Sequence, residues 1–255
     1  MREASQLAIA GIAAVLAMMS SETSRAAEIV VLTNQGVVSA VRELGPAYER
    51  ASGNKVVISY QIGAAFMAKI NSDAPGDIVT QSRDGMDDLV KRGKVVASTR
   101  ADFARAGIGV AVKAGAPKPD LATPDAFKRA MLAAKSIAYS RAGASGLYMA
   151  KLMERLGIAD AMKDKTKLVD GVPVAEVVAK GEAEIGMQQI NVILPIAGID
   201  YVGPLPPEIQ DYVVFAAAVL TASKQPEAAA AMIRFIADPV ATPLIHKGNM
   251  EPPIP

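Results

Sequence analysis

EIVVLTNQGVVSAVRELGPAY, Glu28 to Tyr48, reads as three pieces in succession. Ile29, Val30, Val31 and Leu32 make a short apolar strand, and Thr33, Asn34, Gln35 and Gly36 make a polar turn. Val37, Val38, Val41, Leu44 and Tyr48 then recur at helical spacing. A strand that runs into a polar turn opening a helix leaves backbone N–H groups without intrahelical partners, and these favour an anion. The turn is therefore a candidate half of a binding cleft. The same unit also occurs in α/β proteins that hold nothing there.

Working outward, the pattern repeats. Lys55 to Tyr60 (KVVISY) reads as a second strand, with Gly63-Ala64-Ala65 in its turn and a helix from Phe66 to Ile70. Asp77 to Thr80 is a third strand, ending in Gln81-Ser82-Arg83 before a helix over Gly85 to Arg92. This alternation predicts an α/β fold with parallel strands, whose carboxyl-end turns gather on one edge of the sheet. Gly107 to Val112 (GIGVAV) is a fourth strand, and Lys113 to Pro119 breaks the pattern. Thr123 and Pro124 suit the N-cap and first position of a helix.

Ser136 to Tyr139 is a short strand, followed by the loop Ser140 to Gly146 (SRAGASG) and an amphipathic helix from Leu147 to Leu156. This loop repeats the opening unit with a cation in it. The planar donor fork of Arg141 suits a carboxylate, Ser140 and Ser145 add hydroxyls, and the glycines allow close backbone approach. A surface arginine beside a helix cap gives the same pattern. Val174 to Lys180 reads as a helix, and Ala183 to Met187 as a strand ending in Gln188-Gln189, two amides able to orient a polar ligand. Tyr212 to Leu220 is a long apolar strand, and Pro226 opens a helix that Asp238-Pro239 stops. A shorter helical piece covers Val240 to Lys247.

The 255 residues are 51% hydrophobic, enough to bury a substantial core. Their 27 basic and 26 acidic residues nearly cancel, so nucleic acid and anionic membranes are not indicated as partners. Tryptophan is absent and aromatics make up 4%, which argues against base-stacking or sugar-stacking platforms. Small or anionic ligands remain. Arg2, the apolar run Leu7 to Met19 and Ser24-Arg25-Ala26 have the form of an export signal over residues 1–27, cut near Ala26 or Ala27. The chain contains no cysteine, which excludes disulfides and thiolate chemistry. His246 stands alone near the C-terminus, and the sequence has no HExxH, GxSxG, phosphate-loop or calcium-loop motif. No metal site or cofactor is expected. Asp87-Asp88 reads as a solvated face, and the 12 methionines as core filler.

With these segments in place, residues 28 to 252 resemble the substrate-binding proteins of bacterial ABC importers, in the molybdate-binding-protein-like branch. The matching stretches are VVLTNQGVVSAV, AYERASGNKVVISYQIGAAFMAKI, APGDIVTQSRDGMDDLVKRG, GIGVAVKAG, SRAGASGLYMAKLMERLGI, KGEAEIGMQQ and QPEAAAAMIRFIADPVATPLIHKGNMEP. The resemblance implies a two-lobed type II periplasmic binding protein fold with two hinge crossings, near Gly107 to Val112 and Asp211 to Phe215. Lobe one would hold residues 28–107 and 215–255, and lobe two 108–214. It further implies a periplasmic monomer that closes on a small anion and serves an inner-membrane permease.

Carried over by position, the ligand-facing residues would be Thr33, Asn34 and Gln35, then Gly63, Ala64 and Ala65, then Ser140, Arg141, Ser145 and Gly146, and finally Gln188 and Gln189. Arg83, Lys69 and Tyr139 would lie near the cleft. The chain departs from the molybdate binders it resembles. Asn34-Gln35 and Gly63-Ala64-Ala65 stand where those proteins carry serines, and glutamines stand where a tyrosine is common. Arginine with amides suits an organic di- or tricarboxylate better than a tetrahedral oxyanion. Periplasmic aconitate isomerase is similar to the same branch, so an allylic proton shift on aconitate is the alternative activity, with no catalytic base singled out by spacing.

Overall fold

The computed structural model describes residues 26–72 and 75–254. Apart from Ala26 and Ala27, the expected export signal lies outside these residues. The opening stretch forms strand β1 (Glu28–Asn34), a short turn and helix α1 (Val38–Ser52). Gly53 ends α1 in the left-handed region at φ 75°, where its N–H returns to the Glu49 carbonyl at 2.9 Å. There follow β2 (Lys55–Gln61), α2 (Ala64–Asn71), β3 (Ile78–Ser82), α3 (Arg83–Lys91) and the long β4 (Ala101–Lys113). The middle of the chain forms α4 (Pro124–Ala133), β5 (Ile137–Ser140), α5 (Ala144–Arg155), α6 (Ala159–Met162) and β6 (Thr166–Val169). Next are α7 (Val174–Ala179), β7 (Ile185–Gln189), α8 (Ile190–Ile193), β8 (Ile199–Pro204), β9 (Tyr212–Val219), α9 (Pro226–Ala237) and α10 (Thr242–Lys247). Thr123 caps α4 as expected, its side chain accepting from Ala126 N–H, with Pro124 in the first turn.

The strand order is β2-β1-β3-β9-β4-β7-β5-β6, with β8 also on β4. Each half has a parallel trio, β2-β1-β3 in one and β6-β5-β7 in the other. The expectation of parallel strands holds for these trios and fails for the rest: β9 runs antiparallel to β3 and β4, and β7 and β8 run antiparallel to β4. A strand that returns from the other half enters its sheet from the opposite end, so it must run against its neighbours.

Strand β4 makes the fold two-lobed. Ala101 to Gly107 pair with β9, and from Ile108 onward the partners change to β7 and β8. At that change, Gln210 accepts from Ile108 N–H and donates to Ile108 O, both at 2.9 Å, so the two crossing segments are tied at one residue. Leu205 N–H also donates to Ile108 O, at 3.1 Å.

Each lobe has its own core. In lobe one, alternation along β1 sends Ile29 and Val31 toward Val41, Leu44, Phe103 and Met232 on one face. Leu32 packs on the other with Phe66, Ile70 and Met86. Both faces are covered, which is why the strand reads as a continuous apolar run. In lobe two, Ile108, Val110 and Val112 pack with Phe127, Met131 and Met149. Burying each such side chain contributes about 1.5–3 kcal/mol.

Two strands escaped the sequence pattern. β6 is an edge strand whose Lys167 and Leu168 are exposed, so it lacks the apolar alternation of a half-buried strand. β8 consists throughout of half-buried or exposed residues beside β4. β4 itself begins six residues before the expected Gly107, because its first half is the polar-interrupted sequence ADFARA.

Candidate interlobe binding site

The turn after β1 faces the end of β7 and the start of α8. Gln188 Nε2 donates to Gln35 Oε1 at 3.3 Å, joining the two lobes. Asn191 Nδ2 donates to Gly36 O and to Ser39 Oγ, both at 3.0 Å. These three hydrogen bonds between described residues cross the cleft, each contributing about 1 kcal/mol net. Gln188 also accepts from Val174 N–H at 2.9 Å, so the first turn of α7 is tied to the same seam. Four of these groups are neutral amides or hydroxyls, and two of their atoms have no partner: Gln35 Nε2 and Asn191 Oδ1 are both buried and unbonded.

Local packing holds this arrangement in place. Asn34 Oδ1 accepts from Gly36 N–H at 2.9 Å, and its amide nitrogen reaches Thr80 O and Gln81 Oε1 on β3. Asn34 thus shapes the turn by satisfying one of the N–H groups that the sequence offered to an anion. Thr33 is fully buried and accepts from Thr80 Oγ1 at 2.9 Å, so it braces β1 against β3. Gly36 is required because a Cβ there would stand 2.7 Å from the ring of Phe215 on β9. Ser145 Oγ donates to Gln189 Oε1 at 2.9 Å, fixing the second amide of the pair from α5.

Other candidates lie apart from the seam. Arg141 Nε donates to Asp170 Oδ2 at 2.7 Å, and both side chains are more than half exposed. Arg83 is held by Asp102 at 2.5 Å. The two arginines expected near a ligand are therefore already neutralised by carboxylates that come 29 and 19 residues later in the chain. Ser140 Oγ accepts from Gly143 N–H at 3.0 Å, closing its own loop. Gly146 serves packing: a Cβ would fall 1.7 Å from Ser140 O, so only glycine lets α5 lie against β5. Gly63, Ala64 and Ala65 are exposed at the start of α2. Lys69 donates to Ser59 Oγ at 2.8 Å, and burial pushes the hydroxyl pKa of Tyr139 up.

The residues missed in the sequence are Ser39, Arg42, Tyr60 and Asn191. Asn191 had a signal, since it continues the amide run Gln188-Gln189 after one residue. Arg42 lies one turn beyond Ser39 on α1, with its guanidinium 5.6 Å from the ring centre of Tyr60. Burial raises the pKa of Tyr60, opposed by Arg42 and reinforced by Glu176. Glu176 lies on α7 in lobe two, so its charge is felt across the cleft at β2. Arg42 and Tyr60 of lobe one thus lie within electrostatic reach of Glu176 of lobe two. Among the described residues, no group of three His, Asp or Glu side chains is placed to hold a metal ion. A cavity of about 360 Å³ lies elsewhere in lobe two, lined by Val112, Pro117, Lys118, Arg129 and Glu184. It opens at the amino end of β7, the end of that strand opposite Gln188.

Two α/β lobes joined by crossing strands, with polar turns from both meeting in the cleft, define the architecture of a solute-binding protein. The chain belongs to the bacterial extracellular solute-binding protein family, whose model matches residues 29–250. It is 34% identical over 230 residues to an aconitate isomerase of Pseudomonas sp., covering 88% of this chain and 87% of that protein. It is 26% identical over 230 residues to the molybdate-binding protein ModA of Azotobacter vinelandii, covering 87% and 89%. Among solved structures, the periplasmic molybdate-binding protein of Azotobacter vinelandii matches with a TM-score of 0.72 at 19% identity, over 89% of this chain and 99% of that one. The sulfate-binding protein SubI of Mycobacterium tuberculosis matches with a TM-score of 0.71 at 17% identity, over 90% and 88%.

Proposed function

We propose that this chain is a periplasmic solute-binding protein that captures a small organic carboxylate between its lobes and presents the closed form to an ABC permease. The observation that carries this reading is the seam itself: amides from both lobes meet across the cleft with one donor and one acceptor buried and unpaired. Leaving such groups unsatisfied costs about 1–3 kcal/mol each, so a polar ligand that pairs with them favours closure. On this reading the hinge lies near Ile108 and Gln210, with residues 28–107 and 215–255 as lobe one and 108–214 as lobe two; the two hydrogen bonds that tie the crossing segments there support it. Opening would separate Gln35 and Gly36 from Gln188 and Asn191, and ligand would then enter before the lobes close again.

The site contains one neutral row and one cation. Arg42, exposed and with no ion pair among the described residues, supplies positive charge beside the seam, whereas Arg141 and Arg83 are each paired with a carboxylate. A ligand that engages both the neutral seam and Arg42, one helical turn beyond Ser39, uses two separate polar groups, which favours a di- or tricarboxylate over molybdate or sulfate. The whole cleft lies within one chain, so a monomer suffices. Thermal stabilisation and calorimetry of residues 28–255 with dicarboxylates, tricarboxylates and molybdate test the assignment. Binding of molybdate alone would overturn it.

A second activity has a specific observation behind it, the 34% identity to an aconitate isomerase over most of both chains. In that reaction a base takes a proton from the CH₂ of trans-aconitate and a proton returns to the far alkene carbon. The double bond moves without redox change. Proton NMR of trans-aconitate with the protein in D₂O decides it: new cis-aconitate signals and solvent deuterium in the product make the chain an isomerase, and unchanged spectra leave it a receptor.

A further inference from the structure

The two unpaired atoms in the seam have roles that their neighbours fix. Gly36 O can only accept, so the atom of Asn191 that faces it must be Nδ2, and the free atom is the acceptor Oδ1. Val174 N–H can only donate, so the atom of Gln188 that faces it must be Oε1, and Gln188 turns Nε2 toward Gln35. Gln35 therefore offers Oε1 to Gln188, and its free atom is the donor Nε2. Backbone groups thus determine both amide orientations, at either end of a chain of contacts. The cleft keeps one free donor on lobe one and one free acceptor on lobe two, beside the same turn.

A donor alone is what any anion requires. The buried acceptor is the informative part. An ionised carboxylate, sulfate or molybdate carries acceptors alone, and turning one toward Asn191 Oδ1 sets lone pair against lone pair. An ammonium could donate there, but the groups bridging the seam are neutral, and a buried cation without a counter-charge is costly. A hydroxyl meets the requirement without charge. Building on the carboxylate reading above, we infer that the ligand is a hydroxycarboxylic acid. One carboxylate oxygen accepts from Gln35 Nε2, and the hydroxyl donates to Asn191 Oδ1. Asn191, only 2% exposed, is the residue that selects the hydroxyl. Both atoms are covered in the closed form, so the selection acts as the lobes close on ligand.

Calorimetry with matched pairs tests this: malate against succinate, citrate against tricarballylate, with trans-aconitate and sulfate alongside. The hydroxylated member of a pair is expected to bind about tenfold tighter or more, equivalent to about 1.4 kcal/mol. In Asn191→Ala the members of each pair should come within about twofold of each other, even if both weaken together. Gln35→Glu, which replaces the free donor by an acceptor, should weaken every carboxylate. Equal affinities within the wild-type pairs, tighter binding of trans-aconitate than of citrate, or a hydroxyl preference that survives in Asn191→Ala would each overturn the inference while leaving carboxylate capture intact. If no carboxylate binds, or sulfate binds most tightly, both the inference and the carboxylate reading fail. The wild-type comparison decides the matter even if a variant does not fold.

Discussion

Strands β5 and β7 lie side by side in lobe two, and both end in sequences that look suited to a ligand. After β5 comes SRAGASG, with its arginine, serines and glycines; after Met187 come two neutral glutamines and, at the start of α8, Asn191. The charged loop turns inward on itself and outward to Asp170. The neutral segment crosses to the other lobe. An exposed arginine is readily claimed by a carboxylate from its own lobe, whereas a buried amide is costly to leave unpaired and is held in place by the hydrogen bonds it makes. The charge that was conspicuous in the sequence is paired within its own lobe, and the uncharged residues bridge the two lobes.

The comparison breaks most directly at Gly146. If the β5 loop is a packing device, Gly146→Ala drives a methyl into Ser140 O and should cost about 3 kcal/mol or more, seen as a fall of about 10 °C in melting temperature. A variant that melts normally but no longer binds ligand would return the loop to the ligand side. Next in size is Asn191→Ala, which removes two interlobe hydrogen bonds. It should disfavour closure by about 2 kcal/mol and enlarge the radius of gyration of the unliganded protein in solution scattering. An unchanged scattering curve would show that these bonds do not hold the lobes together.

The arginines sharpen the contrast further. Arg42→Ala is expected to weaken carboxylate binding about tenfold, near 1.4 kcal/mol, while Arg141→Ala changes it less than about twofold. The reverse order in calorimetry would mean that Arg141 leaves Asp170 for the ligand. Smallest is Arg83→Ala, which removes a partly exposed ion pair with Asp102 and should shift stability by about 0.5 kcal/mol in urea titration.

Much of this fold was legible because its signals are local. The run Ile29 to Leu32 with its helical sequel, the Thr123-Pro124 cap and the apolar stretch Tyr212 to Leu220 each satisfy a short-range rule, and the resemblance supplied their order. β6 and β8 were not legible, because an edge strand needs neither alternation nor a continuous apolar run. The antiparallel crossing strands depend on which lobe a strand returns from, which no window of residues encodes. At the site, Gln35 and Gln188 were legible as polar residues at strand ends, and they meet. The pairing of Arg141 and Arg83 was not legible, because their partners, Asp170 and Asp102, lie far along the chain. Gly146 was read as allowing close approach to a ligand, and in the structure the approach is to Ser140 on the preceding strand.

In the proposed cycle the lobes close through the amide seam and a small carboxylate reinforces the closure. The chain has no cysteine, so Lys91→Cys on α3 and Lys151→Cys on α5 place one spin label on each lobe without background. The most direct measurement is the distance between those labels by pulsed electron resonance, with and without citrate and with and without Asn191→Ala. The account predicts a single closed distance with citrate, and in unliganded Asn191→Ala a second distance that citrate pulls back. One distance distribution, identical in all four samples, would contradict it.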